Sequence, residues 1–162
     1  PGAAAAALEL ARATQISLAR LADASLEVGY LEDQLKAAES HLPAQGASAS
    51  ARAAIAAVRK QLDPLTGGEG DAGPKLDSIA GVLRGLEIDL EGSDAAPTEP
   101  QRQVLAASDV RLEQALALWQ GIRVSAIGTL NKALGKSGIT PIAIPPVGEI
   151  PAGAHSPGAD LP

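Results

Sequence analysis

TEPQRQVLAASDVRLEQALALWQGIRVSAIGTLNKALGKS, residues Thr98 to Ser137, brings a legible helix start, apolar periodicity and the only tryptophan of the chain into one stretch. Thr98 stands where a side-chain oxygen accepts from the free N–H groups of a first helical turn. Gln101, three residues on, reaches back as in a capping box. Leu105, Ser108, Leu112, Ala115, Trp119, Ile122 and Ala126 follow at alternating steps of three and four, which places them on one stripe of a helix. Lys132 and Lys136 complement the negative end of the helix dipole, and Gly138 can take the left-handed conformation that closes it. The spacing predicts one long helix, and a stripe of that length needs partner helices.

Toward the N-terminus, Leu10, Thr14, Ser17, Leu21, Ala24, Val28, Leu31, Leu35, Ala38 and Leu42 recur by the same fours and threes. They predict a second long helix from about Ala3 to Leu42, roughly 55 Å in length. Gly29 is its weak point, and Pro43 stops it by pushing the preceding residue out of the helical region. Two shorter helices lie between. Ser48 or Ser50 caps the first, whose stripe is Ala51, Ile55, Val58 and Leu62 and which Asp63-Pro64 ends. Leu65 to Gly73 reads as a flexible acidic connection. Pro74 suits the first turn of the next helix, with Leu76, Ile79, Leu83, Leu86 and Leu90 inward, until Gly92-Ser93-Asp94 breaks it.

The order is long, short, short, long, with connections short enough to make neighbours antiparallel. Two arrangements satisfy it. If the short helices fold back on each other, four helices form an up-down-up-down bundle, which the turn residues in both loops favour. If they instead stack end to end along the long pair, three layers result.

Composition agrees with an all-α chain. Of 162 residues 34 are alanine, and Tyr30 and Trp119 are the only aromatics. Such a core suits closely packed helices, whereas sheets favour aromatic and β-branched residues. The net charge is −6, with 13 Lys and Arg scattered among 19 acids, so no basic patch for nucleic acid is expected. The absence of cysteine excludes disulfides, thiolate chemistry and cysteine-ligated zinc. No apolar stretch approaches the ~20 residues of a membrane span. The chain opens on Pro1-Gly2, and the Ala3 to Ala7 run lacks the basic region of a signal peptide, so a processed or excised part of a longer product is expected.

After Gly138 the character changes. Six of the twelve prolines and no Lys or Arg follow it. Residues 139–162 are therefore expected as an extended or polyproline-like arm beyond a bundle at 1–138. Ile139, Ile142, Ile144, Val147 and Ile150 are too many apolar residues for a segment meant only to be solvated. They are the candidate partner-binding anchors, with the bundle of the same chain or a neighbouring molecule as the receptor.

The segments Leu90-Glu-Gly-Ser-Asp-Ala-Ala-Pro-Thr98, Trp119, Leu130-Asn-Lys-Ala-Leu134 and Gly138-Ile-Thr-Pro-Ile142 resemble the closing helical region of a bacterial family. Its members are large secreted proteins with sortilin-type β-propellers, labelled glycosyl-hydrolase-like or BNR-repeat proteins. The resemblance spans about Ala3 to Ile142 in pattern and is specific from Leu90 onward. It does not cover Pro145 to Pro162. It implies export from the cytoplasm and a non-catalytic place at the end of a larger protein. Any active site would lie on the propeller, so the resemblance carries over no functional residue.

Other candidates have simpler explanations. Gly68-Glu-Gly-Asp-Ala-Gly73 matches the string of dinucleotide-binding turns but follows a helix instead of a strand, and Glu69 and Asp71 would repel a pyrophosphate. The same acids could at most make a weak calcium contact. His41 suits the carbonyls that end the first helix, and His155 lies far off in the tail, so no paired-histidine metal site is expected. Glu87, Asp89 and Glu91 fit a solvated helix face better than a catalytic carboxylate pair. Trp119 shares its stripe with Leu112 and Ile122 and is expected in the core, with an exposed partner anchor as the alternative. The first helix carries six acids against three bases between Leu8 and Leu42, which disfavours a membrane-surface role.

The expectation is therefore a non-catalytic helical interaction or assembly module, secreted or at the periplasmic or cell surface. No cofactor, no metal, no nucleic acid and no small-molecule substrate are expected; the partner would be protein. The competing expectation is an accessory domain or fragment of a propeller hydrolase, or an accessory subunit of a larger complex.

Overall fold

In a computed structural model of the chain, the described residues are 2–43, 48–67, 73–91 and 95–151. They form an all-α fold, with no strand among them. Helix α1 spans Ala3–His41, α2 Ser48–Thr66, α3 Leu76–Glu91 and α4 Glu99–Gly121. One π-helical turn, Ile122–Ala126, leads directly into α5, Ile127–Lys136. The long-short-short-long order holds, the last long helix being α4, the π turn and α5 in succession.

The chain divides into two compact units. The first comprises 1–23 and 64–118, the second 24–63 and 119–162. Each contains part of α1, most or all of one short helix, and part of the long C-terminal helix. In the first unit Ser17 donates to Asp109 at 2.6 Å and Arg20 to Glu113 at 2.6 Å. Partners on α1 and α4 thus ascend together, so these two helices run parallel. An up-down-up-down bundle would make them antiparallel. Within the first unit, therefore, the two long helices do not follow that order. Consecutive helices do reverse where bonds report it: Glu39 pairs with Arg59 at 2.7 Å, and Arg52 donates to the Pro43 carbonyl at 3.0 Å.

The expected stripes form the cores. In the first unit Thr14, Ser17 and Leu21 of α1, Leu76, Ile79, Leu83 and Leu86 of α3, and Leu105, Ser108, Leu112 and Ala115 of α4 are buried. In the second, Ala24 to Leu42 of the α1 seam, Ala51, Ile55, Val58 and Leu62 of α2, and Trp119, Ile122 and Ala126 are buried. Leu10 and Leu90 are only half-buried, each close to an end of its helix. Small residues on the α1 and α4 stripes let helices approach closely, and their hydroxyls stay satisfied: Thr14 donates to the Leu10 carbonyl at 2.9 Å.

The helix ends show both agreement and correction. The Thr98 N–H donates to Gln101 Oε1 at 2.8 Å, and the Gln101 N–H to Thr98 Oγ1 at 3.4 Å, a reciprocal capping box. Pro64 does not end α2. It lies inside the helix, which continues through a buried Leu65 to Thr66 and closes at Gly67 with φ 96°. Burying Leu65 offsets the backbone bond that Pro64 cannot donate. Pro74 stands two residues ahead of α3, outside its first turn.

The register of the last long helix also differs from a simple repeat. Steps of three and four beyond Ala126 would bring Thr129 and Ala133 inward, yet Ile127, Leu130 and Leu134 are the buried residues. One extra residue separates the two halves of the stripe. The π turn absorbs it, with the Ile127 N–H bonded five residues back to the Ile122 carbonyl.

Candidate functional site

The site lies in the second unit, where the chain leaves α5. Ser137 ends the helix and Gly138, at φ 72°, takes the left-handed position. The Ile139 N–H reaches the Leu134 carbonyl at 3.0 Å and the Gly138 N–H that of Gly135 at 3.2 Å, the paired bonds of a Schellman cap. That cap sets the direction in which the arm departs.

Four residues later the arm is held by a single side chain. Asn131 Nδ2 donates to the Ile142 carbonyl at 2.8 Å, and the Ile142 N–H donates to Asn131 Oδ1 at 2.8 Å. One amide group therefore satisfies both backbone groups of one residue, as a neighbouring strand would. Such a pair recognises extended main chain whatever side chain it carries. Asn131 can do this because Leu130 and Leu134 fix α5 in the core on either side of it.

The five expected anchors divide. Ile142 and Ile150 are buried within this chain, at 6% and 8% exposure, each burial contributing roughly 1.5–3 kcal/mol. Ile139, Ile144 and Val147 are half-buried. Between them a 3-10 turn at Val147–Glu149, with the Glu149 N–H on the Pro146 carbonyl at 2.8 Å, bends the arm so that Ile150 returns to the protein. Residues 139–151 thus belong to the same compact unit as 24–63, and the boundary at Gly138 separates helix from arm without separating two units.

Beside Ile142 an open groove of about 370 Å³ runs between the last turns of α1 and the start of the arm. Gln34, Ala37, Ala38 and His41 supply one wall, at the spacing of a single helix face, and Ile139 to Ile142 supply the other. His41 is exposed and its Nδ1 lies 2.7 Å from the Ala37 carbonyl. A carbonyl only accepts, so Nδ1 carries the proton, and the ring serves the helix terminus as its position implied.

A second polar cluster was not legible in the residue pattern. Trp119 is in the core at 3% exposure, and its Nε1–H donates to Glu27 Oε2 at 2.6 Å. Arg123 Nη1 reaches both Glu27 oxygens, at 3.1 and 3.0 Å. The buried carboxylate is thereby neutralised and satisfied, which makes it a helix-to-helix tie. Periodicity singled out Trp119 and passed over Glu27, although a buried indole N–H needs an acceptor. The exposed Arg20–Glu113 pair is a weaker tie; the hydrogen bond to Glu113 is the main cause raising the Arg20 pKa above its usual value.

The remaining sequence candidates do not converge. Glu87 is half-buried and Asp89 and Glu91 are exposed on α3. Glu69, Asp71 and His155 lie outside the described residues, as do Gly68 to Ala72. Among the described residues no group of three His, Asp or Glu is placed to hold a metal, and no helix is long and apolar enough to cross a membrane. Asn131 was visible in the sequence as part of the Leu130-Asn-Lys-Ala-Leu134 string, with nothing to show that it holds Ile142.

Neither a protein-family model, nor a curated protein, nor a solved structure matches this chain.

Proposed function

We propose that this chain is a non-catalytic helical interaction module of an exported bacterial protein, in which residues 139–151 are the docking element. The observation that carries the reading is the Asn131 clamp on both backbone groups of Ile142. A side chain that holds both backbone groups of Ile142, in an arm whose Ile142 and Ile150 are buried within this chain, supports reading residues 139–151 as a segment suited to docking. The prolines at 141, 145, 146 and 151 narrow the conformations of the free arm and so lower its ordering cost. The partner would be protein, reached through the half-buried Ile139, Ile144 and Val147 or through the groove itself. Export rests on the resemblance of Leu90 to Ile142 to the closing region of propeller proteins. That resemblance also supports the second reading, an accessory domain at the end of such an enzyme or an accessory subunit of a larger complex.

Sedimentation of the full chain against a chain stopped after Gly138, across a wide concentration range, tests the reading. Association of the full chain, with the shortened chain monomeric and equally helical by circular dichroism, is the expected result. Equal monomers at every concentration would count against self-assembly and direct attention to a foreign partner or a parent propeller.

A further inference from the structure

We propose that residues 142–151 are a strap that opens and closes as one piece about a pivot at Thr140 and Pro141, and that the closed strap withholds Ile142 and Ile150 from a partner. The opening follows from the arm's own contacts. Its regulatory role rests on the arm being the docking element, as proposed above.

The attachments of the strap are few. As far as Ile139 the chain is fixed by the helix cap, through the bond from the Ile139 N–H to the Leu134 carbonyl. Beyond it, the only hydrogen bonds that tie the arm to the helices, among the described residues, are the two that Asn131 makes with Ile142. The other attachment is the burial of Ile150. Between cap and clamp, Thr140 and Pro141 are exposed, Pro141 has no N–H to donate, and among the described residues no hydrogen bond holds Thr140. They are the place where the chain can turn.

The segment that joins the two attachments is stiff. Pro145 and Pro146 fix successive φ angles. The 3-10 turn then closes on itself, the Glu149 N–H on the Pro146 carbonyl at 2.8 Å and the Ile150 N–H on the Val147 carbonyl at 3.2 Å. Release of Ile142 therefore turns the whole segment and draws Ile150 with it, where a floppy linker would leave Ile150 seated. The helices keep their backbone bonds within themselves, and Ile139, Ile144 and Val147 are only half-buried, so the strap is a shallow part of the unit that can open by itself.

Ile142 and Ile150 are the two buried residues among the five apolar ones of the arm, and in the closed state they are spent on this chain. A partner that needs them meets only the open form, and its apparent affinity falls by the fraction of strap that is open.

The chain has no cysteine, which permits thiol labelling at a chosen position. Full-length Ile150→Cys is treated with excess chromogenic disulfide reagent, with and without Asn131→Ala, while hydrogen exchange of α1 amides monitors the helices. The expected result is slow labelling that becomes about tenfold faster or more when Asn131, at the other attachment, is replaced, with α1 amides equally protected in both. Equal labelling rates would overturn the strap, because Ile142 and Ile150 would then come loose independently. If Ile150→Cys alone labels as fast as free cysteine, or Asn131→Ala costs α1 its protection, the reciprocal pair decides. Full-length Ile142→Cys keeps the backbone clamp, and adding Ile150→Ala should speed its labelling by a similar factor with α1 still protected. An unchanged rate, slow or fast, or a loss of α1 protection there, would overturn the strap. The chain stopped after Gly138 lacks the strap altogether, so failure here leaves the sedimentation result to judge the docking role.

Discussion

Gly73 lies so close to Pro64 that a Cβ on it would stand 2.5 Å from the proline Cβ and 2.7 Å from its backbone Cα and carbonyl oxygen. Backbone cannot yield as a flexible side chain can, so Gly73→Ala should destabilise the protein by about 1–3 kcal/mol, read as a lower midpoint in urea unfolding. An unchanged midpoint would mean that the contact relaxes freely. In the sequence Gly73 was only the last glycine of a loop string, since close approach of two backbones leaves no trace in composition or period. Glu27 was hidden for a related reason: the Trp119 it binds lies 92 positions away. Trp119 itself was legible, because a stripe reports which residues turn inward even when it is silent about what they meet. His41 was legible too, its role depending only on the helix that ends beside it.

At the level of elements, the helices and most of their inward faces followed from spacing, and the Thr98 and Gly138 ends from local chemistry. Pro64 misled because local preference was outweighed by the burial of Leu65. The π turn is encoded as well, as the one-residue slip between Ala126 and Leu130, which lies beyond a stripe that ends at Ala126. An α-helix turns about 100° per residue, so the insertion must be absorbed or the second half of the stripe would leave the core. Val124, 72% exposed, lies within the turn. Its deletion should convert Ile122–Ala126 to ordinary α-helix with Ile127, Leu130 and Leu134 still inward, leaving helicity unchanged and the urea midpoint equal or higher. A large loss of stability would show that the extra residue supports the fold and is not merely accommodated.

For the molecule as a whole, spacing established an all-α chain but not the relative direction of its long helices, because stripes are the same for parallel and antiparallel neighbours. The Ser17–Asp109 and Arg20–Glu113 bonds decide it within the first unit. The arm followed a similar course. Its apolar residues marked it as a segment in need of a receptor, and Ile142 and Ile150 are buried within this chain, while the clamp on Ile142 depends on a single asparagine whose partner lies 11 residues away across a helix end. Amide hydrogen exchange at Ile142 tests that clamp directly, in the full chain and in Asn131→Ala. If Asn131 holds Ile142, the Ile142 amide is protected in the unaltered chain and exchanges near the rate of free chain in the variant, with α5 amides protected in both. An Ile142 amide that exchanges freely in the unaltered chain, or equally slowly in both, would contradict it.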